Sequence, residues 1–85
     1  NQSRADIEAY IRRYGGMLEI ERKVIQSILK LIPKAKYLMR KKEIIAASII
    51  ILYYNDNKLI QKVAKVAGLG PGAIKSTIEE LKEEE

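Results

Sequence analysis

The sequence predicts an all-α fold: one domain of five helices that closes with a helix-turn-helix at about residues 58–82. Three observations favour this fold class. Apolar residues recur at intervals of three and four along most of the chain, which is the spacing of one face of a helix. Glycine, proline or asparagine separates these periodic segments. The most apolar segment has no second strand candidate beside it, so a buried helix is favoured over a buried strand.

The first helix begins at Ser3 and ends at the pair Gly15-Gly16. The Ser3 hydroxyl can accept a hydrogen bond from one of the free N–H groups of the first turn, and glycine commonly closes a helix. The apolar face of this helix consists of Ile7, Tyr10, Ile11 and Tyr14. We therefore expect both tyrosines to be packed rather than exposed as platforms for base stacking.

The second helix runs over about residues 18–32. Pro33 ends it, because proline lacks an N–H and disfavours helix in the residue before it. A short basic connector follows at residues 34–42. We expect three of its residues to anchor it on the core: Tyr37, Leu38 and Met39.

The third helix covers about residues 42–54 and is apolar on nearly every side. A helix of this kind is buried in the middle of a bundle. The polar turn at residues 55–57 separates it from a fourth helix at residues 58–67. The fifth helix runs from Pro71 to about Lys82, and proline suits the first turn of a helix.

The segment at residues 61–74 has the pattern of a helix-turn-helix. Ala64 is small enough for the next helix to cross closely, and Gly68 can adopt the left-handed conformation that the turn needs. Leu69 and Ile74 face the core. In such motifs the first turn of the second helix meets base edges in the major groove. The predicted DNA contacts on its outward face are Gly72, Ala73, Lys75, Ser76 and Thr77.

Charge gives a second indication of a polyanionic partner. The chain has 16 basic and 11 acidic side chains, a net charge of +5, and five of the acidic ones lie in the C-terminal segment 79–85. The remaining body is therefore strongly basic, which suits nucleic acid. The second predicted contact cluster is the basic connector, with Arg40, Lys41 and Lys42 as its main residues and Lys34 and Lys36 nearby.

Catalysis and metal binding have little support in the sequence. The chain contains no cysteine and no histidine, so disulfides, thiolate ligands and the commonest general base are excluded. The turn 70–72 lacks the lysine and hydroxyl residue of a phosphate-binding loop. We expect no enzymatic activity and no cofactor. The longest apolar run is too short to cross a bilayer, and no signal peptide is visible, so we expect no membrane partner.

Taken together, these segments resemble the cyclin-like repeat of the transcription factor IIB family, and most of all the C-terminal core domain of archaeal transcription factor B. The resemblance covers nearly all 85 residues. Residues 61–69 are the most similar, followed by 73–75 and 80–81. Residues 24–29 and the alanine-rich 45–48 are similar to the second and central helices of the repeat, and the opening helix is similar at Asp6, Tyr10, Ile11 and Arg13.

The resemblance implies a cyclin-like fold of five helices and a role in transcription initiation. Family members bind promoter DNA near the TATA box together with the TATA-binding protein, and the resemblance implies RNA polymerase as a further partner. The resemblance also implies an archaeal cytoplasmic protein associated with the nucleoid. We expect a monomer. Because the chain starts at Asn1 and carries no zinc ribbon or second repeat, we expect a fragment of a larger factor or a divergent paralogue.

One alternative belongs to a different functional class. The chain could be a cyclin-like adaptor that binds only protein, with a helix-turn-helix that does not touch DNA. The two hypotheses differ in salt dependence, because phosphate contacts make affinity fall steeply as salt rises.

Overall fold

The computed structural model describes residues 3–35 and 38–83. Within them the predicted all-α class is confirmed, with five α-helices, one short 3₁₀ helix and no strand. The α-helices are α1 (Ser3–Met17), α2 (Arg22–Leu29), α3 (Lys42–Tyr54), α4 (Leu59–Ala67) and α5 (Pro71–Glu83), and the 3₁₀ helix is Ile32–Ala35.

Helix α3 is the centre of the domain, as predicted. It packs against each of the other four helices and the 3₁₀ helix. Seven consecutive residues of it are buried, from Ile45 to Ile51. The one hydroxyl among them, that of Ser48, donates to the Ile44 carbonyl at 2.7 Å, so no donor is left unsatisfied there. The core is thus organised around a helix with no exposed face over two turns.

Helix α1 does not end at the glycine pair, and this prediction was wrong. It continues through Gly15 and Gly16 to Met17, and the left-handed residue that follows is Glu19, with φ of 59°. The Ile20 N–H donates to the Gly15 carbonyl at 2.9 Å, the six-to-one bond of a Schellman ending. Gly15 is buried against α2, so its missing side chain serves helix packing rather than helix termination.

Helix α2 is shorter than predicted. It starts only after Glu21, whose backbone is not helical, and it ends at Leu29. Leu18 and Ile20 belong instead to the α1–α2 connection, where they pack against the core. Pro33 does not follow a helix end directly, because it is the second residue of the 3₁₀ helix. An early helical position tolerates proline, since its N–H would have no intrahelical partner there.

The connector before α3 is anchored by fewer residues than predicted. Leu38 is half-buried against the core, but Met39 is 95% exposed, so its predicted packing was wrong. Tyr37 and Lys36 lie outside the described residues, as do the terminal glutamates 84 and 85 and the side chain of Ser3. On α1, Tyr14 is buried and Tyr10 is partly buried, as expected.

Candidate nucleic-acid interface

The turn between α4 and α5 is fixed by its backbone. Gly68 ends α4 with φ of 69° and ψ of 36°, the left-handed conformation that glycine adopts without strain. The Leu69 N–H then donates to the Ala64 carbonyl at 2.9 Å. Two residues later Pro71 starts α5. The chain therefore changes direction within three residues, in a hydrogen-bonded Schellman turn.

Helices α4 and α5 share an apolar interface that sets which face of α5 is free. Ala64 is 3% exposed, and Ile74 and Ile78 are both buried. Leu69 is partly buried and packs against the same core. With one side of α5 pressed into the domain, its opposite side and its first turn face solvent.

The predicted contact residues of α5 fall into three groups. Gly72, Lys75 and Ser76 are exposed, as the helix-turn-helix pattern predicts, and Ala73 is half-buried. Thr77 is fully buried, so its predicted place on the outward face was wrong. Its hydroxyl donates to the Ala73 carbonyl at 2.8 Å. The reason is helical spacing, because a residue three positions after the inward Ile74 lies on the same face.

Arg40 joins the basic connector to the outer side of α5. Its Nε donates to a Glu80 carboxylate oxygen at 2.9 Å, and its Nη2 donates to the Ser76 hydroxyl oxygen at 3.1 Å. The two clusters that the sequence predicts separately, the connector and the first turns of α5, therefore lie side by side. The same contact offsets the charge of one of the glutamates on α5.

The three connector cations differ in their partners. Arg40 pairs with Glu80, and the Lys42 ammonium lies 2.7 Å from a carboxylate oxygen of Asp6. Lys41 is exposed and makes no ion pair with any described carboxylate. All of these side chains are partly solvated, where an ion pair contributes only about 0–1 kcal/mol. A phosphate can therefore replace such a partner at little cost.

A solvent-open cleft of about 640 Å³ lies between α1 and the connector. Its lining has four cationic and two acidic side chains, and comprises Asp6, Ala9, Tyr10, Arg13, Arg40, Lys41, Lys42 and Glu43. The basic residue that the sequence does not assign to this surface is Arg13. It is exposed and makes no ion pair with a described carboxylate. Its distance from the connector along the chain hides this proximity from any local pattern.

Of the two tyrosines of α1, Tyr10 lines this cleft and Tyr14 is buried beneath the surface. The Tyr10 and Tyr14 rings stack with centroids 5.8 Å apart, and the Tyr10 hydroxyl donates to a Glu43 carboxylate oxygen at 3.4 Å. Burial, reinforced by the negative charge of Glu43, raises the pKa of Tyr14 above its usual value. Both rings are therefore occupied by intramolecular contacts.

Two further tyrosines, Tyr53 and Tyr54, are exposed at the end of α3. Their rings meet edge to face with centroids 5.1 Å apart. Burial of part of its ring, followed by the neighbouring Tyr53, raises the pKa of Tyr54. Tyr53 lines a second pocket with Leu31, Lys34, Leu52, Asn55 and Lys82, and none of these residues lines the cleft beside Arg13.

Over the two described segments, 3–35 and 38–83, no three acidic side chains converge as possible metal ligands. In that same part of the chain no helix combines the length and apolarity needed to cross a lipid bilayer. Comparison of the chain with protein-family models, with curated proteins and with solved structures gave no match.

Proposed function

We propose that this chain is a DNA-binding, cyclin-like domain of transcription factor B type, and that it docks on promoter DNA through the first turn of α5. The observation that carries the proposal is the tight turn at Gly68 followed by an exposed helix start with Lys75 on it. That arrangement suits a helix-turn-helix, in which the second helix presents its N-terminal turn to the major groove.

The chemistry of that turn fits an anionic partner. The start of a helix has free N–H groups and a partial positive charge, both of which favour phosphate. Gly72 has no side chain, so the backbone can approach DNA closely there. Lys75 can reach a phosphate or a guanine edge, and Ser76 can donate to either. Gly72, Lys75 and Ser76 are all exposed.

The glutamates of α5 decide how the helix would enter the groove. Glu79 is exposed and lies about 6 Å along the axis from Lys75, at a rise of about 1.5 Å per residue. Glu83 lies a further turn away. Because phosphates repel these carboxylates, we propose entry by the N-terminal end of α5 rather than along its length. Glu80 is already engaged by Arg40.

The proposed partners follow from the resemblance. They are double-stranded promoter DNA beside a TATA box, the TATA-binding protein and RNA polymerase, with the domain acting as a monomer at the nucleoid. A domain of this size buries little surface on its own, so the affinity for DNA alone is expected to be modest. Binding should therefore be measured with and without the TATA-binding protein.

The test compares two lysines of α5. Lys75→Glu and Lys82→Glu change the net charge equally, and both positions are exposed. They lie on nearly the same side of the helix but about 10 Å apart along it. We expect Lys75→Glu to weaken binding of a labelled TATA-containing duplex strongly and Lys82→Glu to weaken it much less, with equal thermal melts. Fluorescence anisotropy of the labelled duplex over a salt series measures the affinity of each variant.

Lys75→Ala then identifies the atom that the lysine contacts. A phosphate contact predicts a loss that is uniform across DNA sequences, and a salt slope lower by about 0.9. A guanine contact predicts relaxed specificity at one base pair, by about 1–3 kcal/mol. Equal binding by the parent chain, Lys75→Glu and Lys82→Glu, with and without the TATA-binding protein, refutes docking through α5.

The second candidate function is the protein-only adaptor. The observation in its favour is the exposed pair Tyr53 and Tyr54, each about 40% exposed on a domain whose other large apolar side chains are mostly buried. Aromatic residues are enriched in protein interfaces. For this function, binding of a labelled duplex should be undetectable even at low salt, whereas the DNA-binding function predicts measurable affinity there.

A further inference from the structure

We propose that the cleft between α1 and the connector binds the phosphate backbone of the same DNA duplex, with Arg13 and Lys41 as its contacting cations. This inference rests on the proposed function, and it extends the interface to a helix that the sequence patterns leave out of it.

The charge balance of the cleft supports a backbone contact. Of its four cations, Lys42 is paired with Asp6 and Arg40 with Glu80, whereas Arg13 and Lys41 have no ion pair with a described carboxylate. The other acidic residue of the lining, Glu43, accepts a hydrogen bond from Tyr10. The positive charge that remains is therefore concentrated on one helix side chain and one connector side chain.

One residue of the cleft, Arg40, connects it to α5. Arg40 lines the cleft and also donates to Ser76 on α5. It is therefore a positioning residue, which holds the connector against α5 between the two proposed contact areas. The longest dimension of the domain is 28 Å, about eight base pairs at 3.4 Å each. One duplex is thus long enough to meet both areas at once.

The chemistry favours a polymer of phosphates over a single small anion. The cleft is open and its cations are solvated, so one isolated phosphate gains little from them. A duplex docked through α5 brings its neighbouring phosphates to these cations at no further cost in association entropy, and it releases counterions in doing so. The planar guanidinium of Arg13 can also bind two phosphate oxygens together.

The chain offers a matched control on the same helix. Arg12 is exposed like Arg13, but it lies outside the cleft and pairs with Glu8 at 3.0 Å. Arg13→Gln and Arg12→Gln remove one charge each from adjacent positions. We expect Arg13→Gln to bind a TATA-containing duplex several-fold more weakly and to lower the salt slope by about 0.9, while Arg12→Gln leaves the slope unchanged.

A variant of the connector tests the second proposed cation of the cleft, Lys41. Lys41→Gln should lower the salt slope by the same amount, and the double variant Arg13→Gln/Lys41→Gln by about 1.8. Both positions are exposed, so we expect melting curves by circular dichroism to match the parent chain.

The outcomes separate this inference from the proposed function. If Lys75→Glu abolishes binding while Arg13→Gln and Lys41→Gln bind with the parent slope, the cleft proposal is overturned and docking through α5 stands. If the cleft variants lower the slope and Lys75→Glu does not weaken binding, the cleft contacts DNA and docking through α5 is overturned. No binding by the parent chain, with or without the TATA-binding protein, overturns both.

Discussion

Adding one methyl group to Gly15 and to Gly16 in turn should move stability in opposite directions. Both glycines lie inside α1, where glycine costs about 1 kcal/mol relative to alanine. A Cβ at Gly16 would have no heavy atom within 4 Å, whereas a Cβ at Gly15 would lie 2.8 Å from Cδ1 and 3.1 Å from Cγ1 of Ile25. The difference between the two variants therefore isolates a steric contact between α1 and α2.

The magnitudes follow from these distances. Gly16→Ala should raise the free energy of unfolding by about 0.4–1 kcal/mol, because it gains helix propensity without a clash. In Gly15→Ala the same gain is opposed by a contact about 0.7 Å shorter than the usual 3.5 Å between carbons. The nearest atom is the free end of the Ile25 side chain, but Ile25 is buried in the core, so we expect its displacement to cost about 1–3 kcal/mol. Gly15→Ala should therefore be the less stable variant by that amount.

Thermal unfolding followed by circular dichroism measures the difference, which corresponds to about 4–8 °C in Tm per kcal/mol for a domain of this size. Ile25→Val removes Cδ1, the nearest atom, so adding it to Gly15→Ala should cost less than adding it to the parent chain. If Gly16→Ala is as destabilising as Gly15→Ala, the glycine pair ends the helix in a left-handed conformation, and α1 does not continue to Met17.

Two further predictions concern single side chains. Thr77→Val should keep the DNA affinity of the parent chain and alter the free energy of unfolding by no more than about 1 kcal/mol, because the buried hydroxyl bonds only within α5. A large loss of DNA affinity with an unchanged melting curve would instead show that Thr77 contacts DNA. Folding raises the pKa of Tyr14, so its protonated phenol contributes to the free energy of unfolding. That contribution is complete below pH 10.0, the pKa of tyrosine in the unfolded chain, and is lost as pH rises through the folded pKa. Stability should therefore fall in alkaline solution and fall less in Tyr14→Phe, as denaturant titrations at neutral pH and at about pH 11 would measure; equal losses in both proteins would contradict a role for this phenol.

Much of the fold could be predicted because the periodicity of apolar residues is a direct consequence of burial. The central helix is the clearest case, since a run such as residues 44–52 can be buried on all sides only when other helices surround it. The turn at Gly68 could also be predicted from the sequence, because a single glycine between two apolar-periodic segments provides the left-handed residue that the turn needs.

The errors arose where one residue type serves two purposes. Gly15 and Gly16 suggested a helix end, but Gly15 provides space for Ile25, and the left-handed position is taken by Glu19, which no propensity favours. Met39 is apolar but fully outside the core. The local sequence could not reveal the purpose of Gly15, because its partner Ile25 lies on another helix.

The candidate interface was predictable only in part for the same reason. Helical spacing predicts the exposure of Lys75 and Ser76. The same spacing also predicts the burial of Thr77, because Thr77 lies three residues after the buried Ile74. The contact of Arg40 with Ser76 and Glu80, and the position of Arg13 across the cleft, depend on how the connector and α1 pack against distant elements. Such juxtapositions are properties of the fold rather than of any segment.

These contacts also change the electrostatics around α5. Taken as a sequence, the acidic end of α5 weighs against DNA, because one lysine is followed by several glutamates. In the fold, Glu80 is turned toward Arg40, and the unpaired cations of the connector and α1 lie on that same side of the domain. A duplex that meets both the start of α5 and Arg13 would pass Arg40, which already bonds Ser76 and Glu80. The acidic stretch would then restrict how the helix can be oriented on DNA, since rotation that lays α5 along the groove brings its carboxylates against phosphates.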